Sequence, residues 1–292
     1  MNSLHLRLPA LVLLATALPS FAADLRMKAS TTWAENIGRS SSPVDWRDTL
    51  VGEASVSAGL GRQLASGLTA GVSAEAATFA SPRFDRLGYA TLGASAQLQY
   101  KFGLGALAPV VQADAGLTAR EARINGDDGY TASASIGLSK RFTETWRARV
   151  AGDWQQHYAA NEPFDTHSQR LIGELAWDFH PSWRLTYGYG RQWADFTATA
   201  SERIWNRATS GGLGAAIANY YNTTPTYVTD AYGPGWTTYR VEGEVELWWL
   251  ELSPALSERT SLSFRYDSVF AKNIVNVKYR QDLWTLSVLH AF

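Results

Sequence analysis

The sequence predicts an all-β protein, a single antiparallel up-and-down barrel of about 12 strands that crosses a membrane. Three observations carry this prediction. Apolar and ionic residues alternate with period two along most of the chain. Long and short connections between the alternating segments take turns. After the N-terminus, no apolar run approaches the roughly 18 residues that a membrane-spanning helix needs.

The N-terminus has a different grammar. Arg7 precedes an apolar run from Leu8 to about Leu18, and Ser20-Phe21-Ala22 closes it. These are the three parts of a secretory signal peptide, with cleavage expected after Ala22. The run is shorter than the roughly 20 residues of a bilayer span, and Pro9 and Pro19 interrupt it. Residues 1–22 are thus expected to be a cleaved signal peptide and 23–292 the barrel. The chain has 0 cysteines, which excludes disulfides and thiolate metal sites. Its formal net charge of −1 argues against nucleic acid as a partner.

The strands are read in order at 25–36, 46–60, 67–78, 88–102, 108–121, 130–142, 145–158, 169–179, 183–197, 237–252, 260–270 and 276–292. In 145–158, Trp146, Ala148, Val150 and Trp154 oppose Arg147, Arg149 and Asp153. In 169–179, Leu171, Leu175, Trp177 and Phe179 oppose Arg170, Glu174 and Asp178. In 237–252, Tyr239, Val241, Val245, Leu247 and Trp249 oppose Arg240, Glu242, Glu244 and Glu246. In 260–270, Leu262, Phe264, Tyr266 and Phe270 oppose Ser263, Arg265 and Asp267. The odd-numbered connections span roughly 9, 9, 8, 10, 39 and 5 residues and the even-numbered ones about 6, 5, 2, 3 and 7. A soluble sandwich has no cause for that alternation. A membrane barrel has one, with short turns on the periplasmic side and long loops outside.

The final strand ends in WTLSVLHAF, with Trp284, Leu286, Val288 and Phe292 at alternate positions and His290 between them. With the leader and the strand pattern, this resembles a Gram-negative outer-membrane β-barrel across the whole of 23–292. The resemblance implies residence in the outer membrane of a Gram-negative bacterium, contact with outer-membrane lipid, and closure of the last strand on the first. It also implies that Trp284, Leu286, Val288 and Phe292 form the signal read by the barrel-assembly machinery. Physical chemistry agrees, because lipid forbids an open sheet edge. Aromatic residues also fall at the expected interfaces: Phe102, Phe142, Trp146, Phe179 and Trp183 by short turns, and Trp33, Trp154, Tyr158 and Trp193 by long loops.

If the aromatic-bearing parity faces outward, most charge faces inward. Arg147, Arg149, Asp153, Glu174, Arg240, Glu242, Glu244, Glu246, Arg265 and Asp267 are then the expected pore lining. Lys140, Arg191 and Glu251 are outward exceptions near strand ends. Small residues on 67–78 (Thr69, Gly71, Ser73) and 130–142 (Thr131, Ser133, Ser135, Gly137, Ser139) leave space opposite the long side chains. The lining mixes both signs. The expected function is a narrow channel for a small polar solute or oligosaccharide. A sealed structural, receptor or polysaccharide-export barrel acting through its long loop is the alternative.

That loop spans 198–236. Its Trp205, Tyr220, Tyr221, Tyr227 and Tyr232 are candidate ligand contacts for a glycan or partner, or else a cap over the barrel mouth. Within it, GGLGAAIANYY suggests a short helix or a constriction. A lipid hydrolase would require a Ser–His pair near the outer leaflet. His157 and His167 are the nearest candidates, and no serine is paired with either by spacing. No catalytic residue, metal site or cofactor is therefore assigned.

Overall fold

The computed structural model describes residues 22–292. The expected signal peptide lies outside the described residues except at Ala22, where the first strand begins. The strands are β1 (Ala22–Ala34), β2 (Thr49–Ala65), β3 (Leu68–Ala80), β4 (Tyr89–Lys101), β5 (Val110–Ala122), β6 (Gly129–Arg141), β7 (Trp146–Ala159), β8 (Thr166–His180), β9 (Trp183–Ala200), β10 (Thr226–Thr229), β11 (Trp236–Pro254), β12 (Thr260–Asn273) and β13 (Lys278–Ala291). Helices α1 (Glu202–Thr209) and α2 (Ala215–Thr223) lie between β9 and β10. No helix among the described residues is long and apolar enough to cross a membrane.

Apart from β9 and β10, each strand pairs antiparallel with its sequence neighbour; β9 pairs with β11, and β13 pairs with β1 with Trp33 opposite Trp284. The sheet therefore closes on itself as 12 strands. The short β10 is the thirteenth, attached to β11 above the point where β12 ends. Closure satisfies the edges of the 12 barrel strands, which lipid requires.

Alternation sorts the two faces. Val56, Val72, Leu98, Leu117, Ile136, Leu138, Val150 and Leu171 are all exposed on the outside. So continuous an apolar exterior has no place in water and is the natural surface of a barrel in lipid. The expected aromatic positions border this band at both ends, and all are exposed. Trp146 stacks on Trp177 at 5.5 Å at the short-turn end, and Tyr130 on Tyr158 at 4.8 Å at the long-loop end. The tight β2–β3 turn works because Gly67 sits at φ +78, where a Cβ would meet the Lys101 carbonyl oxygen at 2.6 Å.

The expected strands are all present, with differences at their ends. β9 and β11 run beyond the predicted 183–197 and 237–252, to Ala200 and back to Trp236. They grow because they pair with each other past the membrane band, and β10 then adds to them.

The barrel lumen and its cap as the candidate functional site

The lumen has two unlike walls. On β2–β6 the inward residues are small or polar, among them Ser55, Ser57, Ser73, Ser95, Gly116 and Ser133. Glu53, Glu75, Ser95 and Gln97 also point inward, yet they are exposed to solvent. Water therefore reaches this wall from inside. Small residues on these adjacent strands are the cause, since few side chains on this wall are long enough to close the gap.

The opposite wall is filled. Inward Gly188 and Gly190 on β9 give their space to neighbours. The Trp249 ring lies over Gly188, where a Cβ would stand 2.0 Å from it, and Ile172 and Leu247 crowd Gly190. Ala151, Ile172, Leu247 and Trp249 form a buried cluster inside the barrel. Toward the short turns this wall becomes ionic. Arg149 binds Glu174 at 3.0 Å and Arg184 binds Asp178 at 2.6 Å, while Arg170 binds Asp153 at 2.9 Å on the long-loop side of the cluster. Arg265 holds Asp267 through Nε at 2.9 Å, lies 3.6 Å from Glu251, and stacks on Trp249 at 4.8 Å. Arg147, Arg149, Glu174, Arg184 and Glu251 share one lumenal cavity of about 200 Å³.

Six of the ten predicted lining residues thus face inward: Arg147, Arg149, Asp153, Glu174, Arg265 and Asp267. The other four need correction. On β11 the inward residues are Val241, Val245, Leu247, Trp249 and Glu251, so Glu242, Glu244 and Glu246 face outward. Glu244 pairs there with outward Arg191 at 2.6 Å, and both are exposed. Arg240 also leaves the lumen, donating to the carbonyls of Glu162 at 3.4 Å and Asp165 at 3.2 Å. Glu251, expected outside, is inside. The tandem Trp248–Trp249 explains the error: one ring must face each side, and the sequence pattern placed the wrong one in lipid. Trp248 is the outward ring, 5.1 Å from Tyr266.

The long loop is an ordered cap. Trp205 of α1 packs on Tyr239 at 5.1 Å, and the Tyr221 hydroxyl of α2 meets that of Tyr279 at 2.8 Å. Both rings join a cluster with Phe196, Ala198, Val241 and Ala271 on the inner face. Burial raises the Tyr221 hydroxyl above its ordinary value, with the Tyr279 bond opposing, so it acts as a neutral hydrogen-bonding group. The hydroxyl of Tyr220 accepts from the Glu242 amide at 3.1 Å, and Tyr227 sets its edge on Phe164 at 5.5 Å. Tyr232 leans on Phe84 and Trp236, each at 5.2 Å. These aromatics hold the cap together. The predicted role as free ligand contacts is corrected for Trp205 and Tyr221, which point into the protein. Tyr232 still lines the central chamber, and Tyr220 lines a pocket on the outer side.

Three other loops brace the cap. Gly38 offers its carbonyl to the Thr199 amide and hydroxyl, both at 2.9 Å. Asp45 accepts from the Ser201 amide at 2.7 Å, and Arg47 stacks on Trp236 at 4.8 Å. Arg86 pairs with Asp230 at 2.9 Å, and Arg240 reaches the 160–165 loop as described. Beneath lies a chamber of about 590 Å³ bounded by residues of most strands. His157 lines it, buried between Thr131 Oγ1 at 2.9 Å and Asp127 at 3.2 Å, while Arg120 holds the same Asp127 at 3.0 Å. His157 thus sits beneath the 123–128 loop on the inner side, away from the lipid face that a lipid hydrolase would use. His167 lines the outer pocket and its neighbour Ser168 the inner chamber, so the two point to opposite faces.

The sequence reading missed Arg39. It projects from the 35–48 loop into the lumen, where solvent reaches it although strands surround it. That enclosure lowers its guanidinium from the ordinary value, with Tyr232 opposing, and an arginine so shifted is still charged. Burial raises the Tyr232 hydroxyl above its ordinary value, with the Arg39 charge opposing. The available signal was the Asn36-Ile37-Gly38-Arg39 stretch, a turn-forming sequence beside a cation.

No known protein family and no curated protein matches the sequence. Among solved structures, the chain is similar to an outer-membrane channel from Pseudomonas putida F1, with a TM-score of 0.56 and 14% identity over 94% of this chain and 97% of that one. The outer-membrane channel DcaP of Acinetobacter baumannii aligns over 93% and 97% at a TM-score of 0.45 and 9% identity. The NanC porin aligns over 90% and 98% at a TM-score of 0.45 and 8% identity. At these identities the likeness is one of fold. The fold is that of an outer-membrane β-barrel.

Proposed function

We propose that the protein is a channel of the Gram-negative outer membrane for small polar or amphipathic solutes, with its long loops outside and its short turns in the periplasm. The observation that carries this reading is the wet inner wall, where Glu53, Glu75, Ser95 and Gln97 face inward and are open to solvent. A structural barrel of this size gains nothing from a water-filled wall, since a filled interior maximises packing. The mixed-charge ladder along Arg149, Glu174, Arg184, Asp178, Arg265 and Asp267 supports weak selectivity between ions, because each charge is offset by a partner. The ordered cap supports a restricted outer opening. The outward stripe of Trp284, Leu286, Val288 and Phe292 is assigned to recognition by the barrel-assembly machinery.

Single-channel recording of the folded protein in a planar bilayer tests this reading. Small, steady steps with a reversal potential near zero in a salt gradient are expected. Silence from protein shown to be folded by its heat-dependent gel shift would overturn it.

A further inference from the structure

Below the cap the chamber continues into a second cavity of about 210 Å³ on the β9–β13 wall. Its surface is largely apolar, made by Phe196, Val245, Leu247, Val269, Ala271 and Tyr279. No acid lines it. Two arginine side chains face it; Arg170 is occupied by Asp153 at 2.9 Å, and Arg280 borders it while its side chain pairs with Asp282 on the outer face. Arg39 is the other, and it lines both cavities. Its side-chain hydrogen bond goes to the neutral Gln281 Oε1 at 3.5 Å, and no carboxylate among the described residues pairs with it.

The backbone beneath Arg39 is built to hold it there. Asn36 and Arg39 sit at φ 53 and φ 49, in the left-handed region that disfavours side chains. Asn36 holds the turn with three side-chain bonds: to the Ser40 carbonyl at 2.9 Å, to the Arg280 carbonyl at 2.7 Å, and from the Ser40 amide at 2.8 Å. Gly38 lies so close to the cap that a Cβ would meet Thr199 Oγ1 at 2.4 Å. Asparagine tolerates this region, but the arginine conformation persists only where its surroundings over-determine it, and such strain concentrates at ligand sites.

We propose that the 210 Å³ cavity binds a small amphipathic carboxylate, its ring or short alkyl chain against the apolar wall and its carboxylate on Arg39. An apolar pocket with one convergent charged donor is the ordinary design of a small-molecule site, and a guanidinium suits a carboxylate through two parallel hydrogen bonds. The volume lies below the roughly 300–1,000 Å³ of drug-sized pockets, which limits the ligand to a single ring or a short chain. A cation is disfavoured by the lining, which has arginines and no acid. This inference rests on the channel reading and names its substrate class.

The test is titration of the folded, full-length protein in detergent with benzoate and with its neutral isostere benzamide, followed by calorimetry. Saturable benzoate binding is expected, weakened at least about tenfold in Arg39→Gln and for benzamide. Ala271→Leu, which fills the cavity and leaves Arg39 in place, is expected to weaken it as well. Equal binding of benzamide, or unchanged binding in Arg39→Gln, would show an apolar pocket without carboxylate recognition and overturn the proposal. Steady conductance without benzoate binding refutes the site and leaves the channel standing; benzoate binding without conductance does the reverse.

Discussion

Replacing Gly188 by alanine probes the filled wall of the lumen and the corrected orientation of β11 together. An added Cβ would lie 2.0 Å from Trp249 Cε2 and Cζ2 and 2.6 Å from its Cδ2. Carbon atoms in ordinary contact stand about 3.5–4.0 Å apart, so the ring must retreat by more than an ångström. It has little room. Trp249 is 3% exposed, packed with Ala151, Ile172 and Leu247, and covered by the Arg265 guanidinium. Overpacking of this kind costs about 1–3 kcal/mol, rising toward roughly 3–5 kcal/mol if the ring is expelled. Gly173 is the control, because nothing lies within 4 Å of its added Cβ; alanine there is expected to change stability by less than about 1 kcal/mol. Urea unfolding in lipid vesicles, followed by tryptophan fluorescence, measures both midpoints. Equal midpoints for Gly188→Ala and the parent would mean that Trp249 does not lie over Gly188. The reasoning for the filled wall would then fail.

Other outcomes follow from the same geometry. Glu251→Gln should shift the reversal potential toward anions, because Glu251 faces the lumen beside Arg265, whereas Glu244→Gln on the outer surface should leave it unchanged; bilayer recordings in a salt gradient compare the two. Gly38→Ala should push the 35–48 loop off Thr199 and raise conductance, read in the same recordings. Replacing 202–235 by a short glycine-serine linker should raise conductance several-fold while the heat-dependent gel shift persists. The barrel strands pair without the cap, and loop length itself is thermodynamically inexpensive.

Much of the barrel was legible because period-two alternation is a local property. Ile136 and Leu138 against Ser135 and Gly137 need only their neighbours to declare a face, and the structure agrees. The rule failed on β11, where apolar residues occur on both faces. Val245, Leu247 and Trp249 face a lumen that is itself apolar at that height, and the inward glycines of β9 that make this possible lie some 60 residues away in the chain. The cap was partly legible: GGLGAAIANYY does yield α2, while α1 and β10 went unforeseen. Their stability comes from distant partners such as Tyr239, Tyr279 and Phe164. Arg39 was half legible: the turn-forming stretch Asn36-Ile37-Gly38-Arg39 is local, but nothing near it in sequence shows that the loop turns inward.

The central claim, a water-filled lumen against the β2–β4 wall, is tested most directly by cysteine accessibility, for which a chain with 0 native cysteines is well suited. Single cysteines would replace inward Ser55, Ser57, Ser73 and Ser95 and outward Ala54, Val56, Val72 and Ala94, each in protein folded into liposomes. A membrane-impermeant thiosulfonate reagent should label the inward set and spare the outward one, alternating residue by residue. Failure to label the inward positions would show a sealed interior, and labelling of the outward ones would contradict the barrel's orientation in lipid.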